Sequence, residues 1–480
     1  MQNLNAIEPK NVLKYFYEIC NIPHGSYNMS AIADYCENFA KKLGLKSLRD
    51  EANNVIIFKD GTKGYENAEP IILQGHLDMV CASEEDCKID FMRDGLNLIL
   101  DGDFLKADGT TLGADNGIAV AIIFSILESD NIPHPPIEAV LTTDEEVGMI
   151  GAIALDTTPL TAKKLINIDS EEDDTVTVSC AGGSDFVVRM PITRQTVIAK
   201  KVTVSLKGLK GGHSGVEINS GRVNAAKLCA ELIDKTRQEG YWIIDIKSGE
   251  KPNAIPNSCT LELCTKNSET LSAAIGDCLK TIKDEISKEE PDFFYEIIGE
   301  DADGTYSVLS NDNFEDFVFV TVSVPNGVQK MSSDIKGLVE TSLNLGILKT
   351  ENDHLLWHIS LRSNKESEML ALENELKAIF SKIECETECF GYYPAWEYKA
   401  DSKLQEIYKD CYKKQYGKAP KVEAIHAGLE CGVFSAKIKD LDCISIGPTL
   451  FDVHTPKEKL SISSLQNTYK LILSILSNCC

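Results

Sequence analysis

The feature that most limits how this chain can fold is a set of short, continuous apolar runs, each ending at a histidine or an acid. IILQ leads through Gly75 to His76 and, two residues on, Asp78; IEAVLTT leads to Asp144, Glu145 and Glu146; LINI leads to Asp169; and CISIG reaches His454 after a short loop. Apolar runs of this length without alternation fit strands buried on both faces, as in parallel sheets sandwiched by helices. Between them lie helical patterns, from Met29 to Leu43 with apolar side chains at helical spacing and from Gly117 to Leu127 apolar at every position but Ser125. Strand alternating with helix predicts an α/β layer: a mostly parallel sheet with helices on both faces. Open sheets of that kind bind ligands beyond the carboxyl ends of their strands, which is where these acids and histidines stand.

At 480 residues the chain exceeds what one hydrophobic core supports, so two domains are expected. Gly182 and Gly183 mark a hinge. Beyond it Lys201 to Lys207 alternate as a strand and Ala225 to Lys235 follow as an amphipathic helix; Leu355 to Leu361 and Glu366 to Ile379 repeat that strand-then-helix order. Residues 183–393 therefore read as an inserted α+β domain with a duplicated unit. The helix Lys403 to Tyr416, the strand Cys443 to Ile446 and the helix Ser463 to Leu476 complete the first sheet. The catalytic domain is then discontinuous, 1–182 with 394–480.

Lys and Arg total 48 against 74 Asp and Glu, a net charge of −26, which repels nucleic-acid phosphates and anionic lipid. The first twenty residues lack a basic stretch followed by an apolar run, and no segment approaches bilayer length. Neither a nucleic acid nor a membrane is expected as a partner, and the expected location is the cytoplasm. The 16 cysteines include no CxxC pair and read as reduced thiols.

A lone acid after a strand is commonly a cap or turn residue. Five chemically matched positions are harder to explain that way. His76, Asp115, Glu146, Asp169 and His454 offer two imidazoles and three carboxylates, a set that suits two divalent cations, with zinc preferred and cobalt or manganese tolerated, and that is too rich in nitrogen for magnesium or calcium. Glu145, next to Glu146, can diverge from it and stay free as a general base for an activated water. Asp78 is placed to accept the ring N–H of His76 and fix its tautomer.

The segments GHLDMV (75–80), TTLGADNGIAVA (110–121), TTDEEVGMIGA (142–152), NIDSEE (167–172) and FDVHTPKE (451–458) resemble the metal motifs of the M20 metallopeptidases, and most closely their aminoacyl-histidine dipeptidase branch. The resemblance spans essentially the whole chain and implies that the insert 183–393 is a lid or dimerisation domain. It implies that Asp115 bridges two metals and precedes a cis peptide to Asn116. It further implies that His76 and Asp169 complete one metal, that Glu146 and His454 complete the other, and that Glu145 is the base. In similar enzymes the histidine of GLKGGHSGVEI, here His213, steadies the oxyanion of the tetrahedral intermediate, often in a partner subunit, so a homodimer through the insert is expected. Arg362 in HISLRSN is a candidate for a two-pronged grip on a substrate carboxylate. His426 and Glu430 in AIHAGLECGVF match the dipeptidase pattern, Glu430 as a partner for the substrate amine, and Asn253 in KPNAIPN is a further substrate-binding candidate. The implied activity is hydrolysis of small peptides, Xaa-His dipeptides such as β-alanyl-histidine foremost. The alternatives are a tripeptidase, a broad dipeptidase or an N-acyl-amino-acid deacylase of the same fold and, from a different class, a non-catalytic metal-binding scaffold.

Overall fold

The computed structural model describes residues 7–479 and divides into two compact units. The first comprises Met1–Cys180, Trp396–Ala424 and Leu429–Cys480; the second comprises Ala181–Ala395 with the short stretch Ile425–Gly428. Within the first unit, Cys180 and Trp396 exchange backbone hydrogen bonds of 3.1 Å, so the chain leaves and re-enters at paired positions.

The first unit is built on an eight-stranded sheet in the order Lys46–Arg49, Val55–Lys59, Ile137–Thr142, Ile71–His76, Lys164–Asn167, Asp442–Ser445, Thr175–Cys180, Lys421–Ile425. Its four middle members, Ile137–Thr142 through Asp442–Ser445, run parallel, and the strands flanking them pair antiparallel. Ile71–His76 and Ile137–Thr142 are buried at every position, which requires cover on both faces and explains why they lack alternation. The helix Ala114–Glu128 is apolar all round and almost wholly buried; Phe124 stacks on Phe39 at 3.9 Å, and Tyr15 meets both rings edge-on. Register levels the strand ends, with His76 opposite Thr142 and Gln74 opposite Asn167, so the residues that follow emerge side by side.

A second, four-stranded sheet of this unit runs Leu450–Phe451, Lys459–Ser461, Phe104–Ala107, Leu98–Asp101. It lays the turn carrying His454 beside the strand that leads to Asp115, with Lys459 opposite Lys106.

The second unit has a ten-stranded sheet whose main path holds two strand–helix–strand–strand–helix–strand modules joined edge to edge. One module is Arg194–Lys207, Ala225–Thr236, Tyr241–Ser248, Cys259–Thr265, Ser268–Ile286 and Phe294–Gly299. The other begins with Gly182–Pro191 and resumes only after the first module is complete, with Asn311–Ser323, Val339–Thr350, His354–Ser363, Glu366–Phe380 and Glu386–Tyr393. In each, the first strand lies between the third and the fourth, and the two modules meet where Tyr241–Ser248 pairs with Val339–Thr350. All four helices feed one apolar core that includes Leu228, Leu279, Phe317, Trp357 and Phe380. One module is thus nested inside the other.

Among the described residues 15 cysteines are free thiols, and no helix is long and apolar enough to cross a membrane.

Candidate metal centre and substrate groups

Beyond the ends of the parallel strands the first unit gathers all five proposed ligands. His76 Nε2 lies 3.1 Å from Asp115 Oδ1 and 3.5 Å from Asp169 Oδ1, while His454 Nε2 lies 3.2 Å from Asp115 Oδ2 and 3.0 Å from Glu146 Oε1. Asp115 thus offers one oxygen to each of two donor sets. Donor atoms of His76, Asp115 and Glu146 lie within 4.8 Å of one another. Ligand atoms around one tetrahedral cation with bonds of ~2.0–2.1 Å stand about 3.3 Å apart, so these separations and donor types fit a cation on each side of Asp115.

The surroundings hold these groups in place. Asp115 and Asn116 interrupt the helical dihedrals at the start of Ala114–Glu128, and the peptide between them is cis. Asn116 Oδ1 accepts the N–H of His76 at 3.1 Å, and its Nδ2 donates to Asp169 Oδ1 at 2.7 Å. Gly75 makes this possible, because a Cβ there would sit 2.5 Å from Asn116 Oδ1. The ring Nδ1 of His76 is 3.0 Å from the carbonyl of Asp78 and 3.4 Å from its carboxylate, so the carbonyl is the nearer tautomer-setting acceptor. The Asp78 carboxylate accepts chiefly from elsewhere: the N–H of Glu145 at 3.0 Å, the N–H of Glu146 at 3.2 Å and the hydroxyl of Ser26 at 2.9 Å. It therefore fixes the turn that aims both glutamates.

Charge is concentrated here. Burial opposes protonation of His76, but Asp169, Asp115 and Asp78 together carry its pKa well above the ordinary imidazole value. Hydrogen bonds to Asp115 and Glu146 push His454 up to about 11. Asp115 is largely shielded from solvent, which would raise it, yet the two histidines hold it well below the usual carboxylate range. Burial raises Asp169 to about 6 and Glu145 well above a normal glutamate, Glu145 being raised further by Asp169, Glu430 and Glu146. A site that binds protons this tightly has the charge to bind divalent cations in their place.

Glu430 opens the helix Glu430–Lys437 and is wholly buried, its Oε2 accepting from Gln74 at 2.5 Å and from Thr142 at 2.8 Å. Burial raises it to about 7. Its Oε1 is buried without a hydrogen-bond partner.

The second unit holds the other candidates. His426, expected with the catalytic part of the sequence, belongs here: Ala181 N–H donates to the carbonyls of Ile425 and Ala427, and the ring reaches Ser342 Oγ at 2.7 Å and Asn364 Oδ1 at 3.3 Å. His213 pairs with Ala254 in a two-residue ladder, next to Asn253, whose carbonyl accepts from Ser214. Its Nδ1 accepts from the N–H groups of Gly215 and Val216 at 3.1 and 3.3 Å, so the ring proton sits on Nε2. Burial and then the charge of Arg362 lower the pKa of His213, and the same two causes bring His426 down to about 3. Arg362, at the end of His354–Ser363, is 8% exposed; Nη1 donates to Tyr393 Oη at 2.9 Å, while Nε is buried without a partner. A buried guanidinium N–H left unmatched suits an anionic ligand oxygen.

Sequence reasoning missed Ser26, Asn116, Glu458 and Tyr393. Asn116 and Glu458 stand inside segments already singled out, one and four residues from a proposed ligand, but only their distant partners reveal what they do. The carboxylate of Glu458 accepts four backbone N–H groups from Leu112 to Asp115, while burial and the charge of Asp115 raise it to about 7.

An α/β sheet that gathers two imidazoles and three carboxylates beyond its parallel strands makes a candidate metal centre. The chain belongs to peptidase family M20/M25/M40, whose model matches residues 72–478, and it is a peptide-bond hydrolase. It is 35% identical, over 99% of both chains, to the cytosol non-specific dipeptidase of Escherichia coli. It superposes on the crystal structure of aminoacylhistidine dipeptidase from Vibrio alginolyticus with a TM-score of 0.91 and 35% identity, covering 99% of this chain and 98% of that one. An aminopeptidase from Bacillus cereus shares the fold at a TM-score of 0.58 and 17% identity, over 98% of this chain and 99% of that one.

Proposed function

We propose that the protein is a cytoplasmic dinuclear metallodipeptidase, zinc-dependent, that cleaves Xaa-His dipeptides such as β-alanyl-histidine. The observation that carries the metal reading is Asp115, whose Oδ1 meets His76, itself beside Asp169, and whose Oδ2 meets His454, itself beside Glu146. The dipeptide reading leans on the relatives, one described as a non-specific dipeptidase and the other as acting on aminoacyl-histidine. The name of the first also favours the cytosol.

His76, Asp115 and Asp169 would hold one cation and Asp115, Glu146 and His454 the other. Bound there, the pair supplies Lewis acidity that polarises the peptide carbonyl and acidifies water. Glu145, whose own N–H is anchored on Asp78, takes the proton from the attacking water and delivers it to the departing amine. Its raised proton affinity suits a group that must hold the proton between those two events. His213, neutral and protonated on Nε2, donates to the developing oxyanion. Arg362 grips the C-terminal carboxylate through the N–H face that Tyr393 leaves open, with His426 and Asn253 beside it as substrate-binding groups.

A homodimer through the second unit is part of this proposal. The edges Tyr241–Ser248 and Val339–Thr350 are already paired inside the chain, which leaves Phe294–Gly299 and Glu386–Tyr393 as the outer edges for a partner. Sedimentation would show the dimer. Assays of β-alanyl-histidine and Gly-His against a tripeptide and an N-acetyl amino acid, with metal content measured on the same preparation, test the activity. Preference for the tripeptide or the acetylated substrate would overturn the dipeptidase reading.

A further inference from the structure

The helix Ala114–Glu128 begins without a local cap. The preceding Gly113 has φ 66°, and a Cβ there would lie 2.7 Å from Met79 Sδ, so no Ser, Thr, Asp or Asn fits at that position. The N–H groups that a helix leaves unmatched at this end are taken by a distant residue. Glu458, 2% exposed, accepts from Leu112 at 2.8 Å and Gly113 at 3.1 Å with Oε2, and from Ala114 at 2.9 Å and Asp115 at 3.3 Å with Oε1.

The other end of this clamp is the turn that presents His454. Glu458 N–H donates to Thr455 O at 3.1 Å, Thr455 Oγ1 donates to Asp452 O at 2.7 Å, and Lys457 N–H donates to Thr455 Oγ1 at 3.1 Å. Within that turn His454 has φ 62°, a left-handed conformation uncommon for residues that carry a side chain. One residue past Glu458 the chain joins the small sheet, where the pairing of Lys459 with Lys106 brings this turn alongside the approach to Asp115. A rigid side-chain clamp thus spans two loops that meet nowhere in sequence.

We infer that Glu458 is a positioning residue that locks the loop of Asp115 to the turn of His454 and so sets the spacing of the two donor sets. This rests on the reading of Asp115 and His454 as metal ligands. Glu458→Gln keeps the shape but swaps one acceptor oxygen for an NH2 group facing N–H donors, so half of the clamp opens. The full-length protein, stripped and titrated with Co2+, gives a readout independent of turnover: stoichiometry, affinity and the visible d–d bands that report ligand geometry. Outer-shell supports of metal ligands are worth about 10–100-fold in metal affinity or activity. The expected result is a 10–100-fold weaker uptake of Co2+ with altered bands and, in the enzyme, a fall in kcat with KM within about twofold.

An E458Q protein with the wild-type affinity, spectrum and kcat, changed only in melting temperature, overturns the inference and leaves an ordinary helix cap. Should E458Q not fold, Glu458→Asp retains the charge and shortens the reach, and the same three readouts decide. Wild-type protein that takes up no Co2+ would instead sink the metal reading itself, so the two failures are distinguishable.

Discussion

His76 in the first unit and His426 in the second are almost equally buried, at 1% and 5% exposure, yet their proton affinities move in opposite directions. Around His76, Asp169, Asp115 and Asp78 outweigh the cost of burying a charge; around His426 burial and Arg362 act together and hold the ring neutral. The same contrast separates His454, raised to about 11, from His213, which is lowered. Burial by itself does not decide what a histidine is for; the sign of its neighbours does. In the proposed function the first cluster collects cations and the second meets negative charge, the division that hydrolysis of a free peptide requires. A dipeptide brings a carboxylate and develops an oxyanion, while the water that attacks it must be made acidic.

The largest effect should come from removing what the first cluster collects. Chelation, or Asp115→Asn, is expected to abolish turnover, and Asp115→Asn should lose both metals because the bridging oxygen pair is gone; elemental analysis showing two metals still bound would break the comparison at its root. Next, Glu145→Gln should retain two metals and lower kcat by roughly 10²–10⁴-fold, the usual contribution of a positioned base. A variant with near-normal kcat would remove Glu145 from the chemistry and leave the acid cluster as a metal holder alone.

How much of this could be read in the sequence follows the range of the interactions concerned. The helix Lys403–Tyr416 has the expected limits, and the strand expected at Cys443 to Ile446 lies one residue earlier, because both depend on local pattern. The approach of His76, Asp169, Glu146 and His454 to Asp115 was legible because parallel strands deliver their ends to one edge. The helix expected from Gly117 begins at Ala114 across a kink at Asp115 and Asn116, since the hydrogen bonds of Asn116 to the backbone of His76 and to Asp169 override local propensity. The repeated strand-then-helix order was visible, but the nesting of one module in the other was not: Gly182–Pro191 pairs with His354–Ser363, and no local pattern encodes so distant a partner. Glu458 stood in plain view four residues after His454, and its task depends on N–H groups more than 340 positions away.

Two smaller effects would sharpen the second cluster. Arg362→Met should raise KM for dipeptides by roughly 10–150-fold, the ~1.5–3 kcal/mol of a hydrogen bond to a charged group, with kcat changed far less. The same variant should scarcely alter KM for a dipeptide amide, which lacks the carboxylate; equal losses on both substrates would mean that Arg362 supports the fold of the strand end instead.

The smallest effect concerns Tyr393. Its ring lies over Gly183, where a Cβ would come within 2.5 Å of the hydroxyl, and that hydroxyl holds Nη1 of Arg362 at 2.9 Å. A guanidinium anchored on one side keeps its fork aimed on the other, so less rotamer entropy is lost when a carboxylate arrives. Tyr393→Phe removes the anchor and leaves the ring in place, which should cost about 1 kcal/mol, or about fivefold in KM, again for the free acid and not for the amide. In Arg362→Met the same tyrosine change should add nothing, because the group it orients is already gone. Additive losses in that double mutant would show that Tyr393 meets the substrate on its own account, and the anion-receiving cluster would then hold two independent groups.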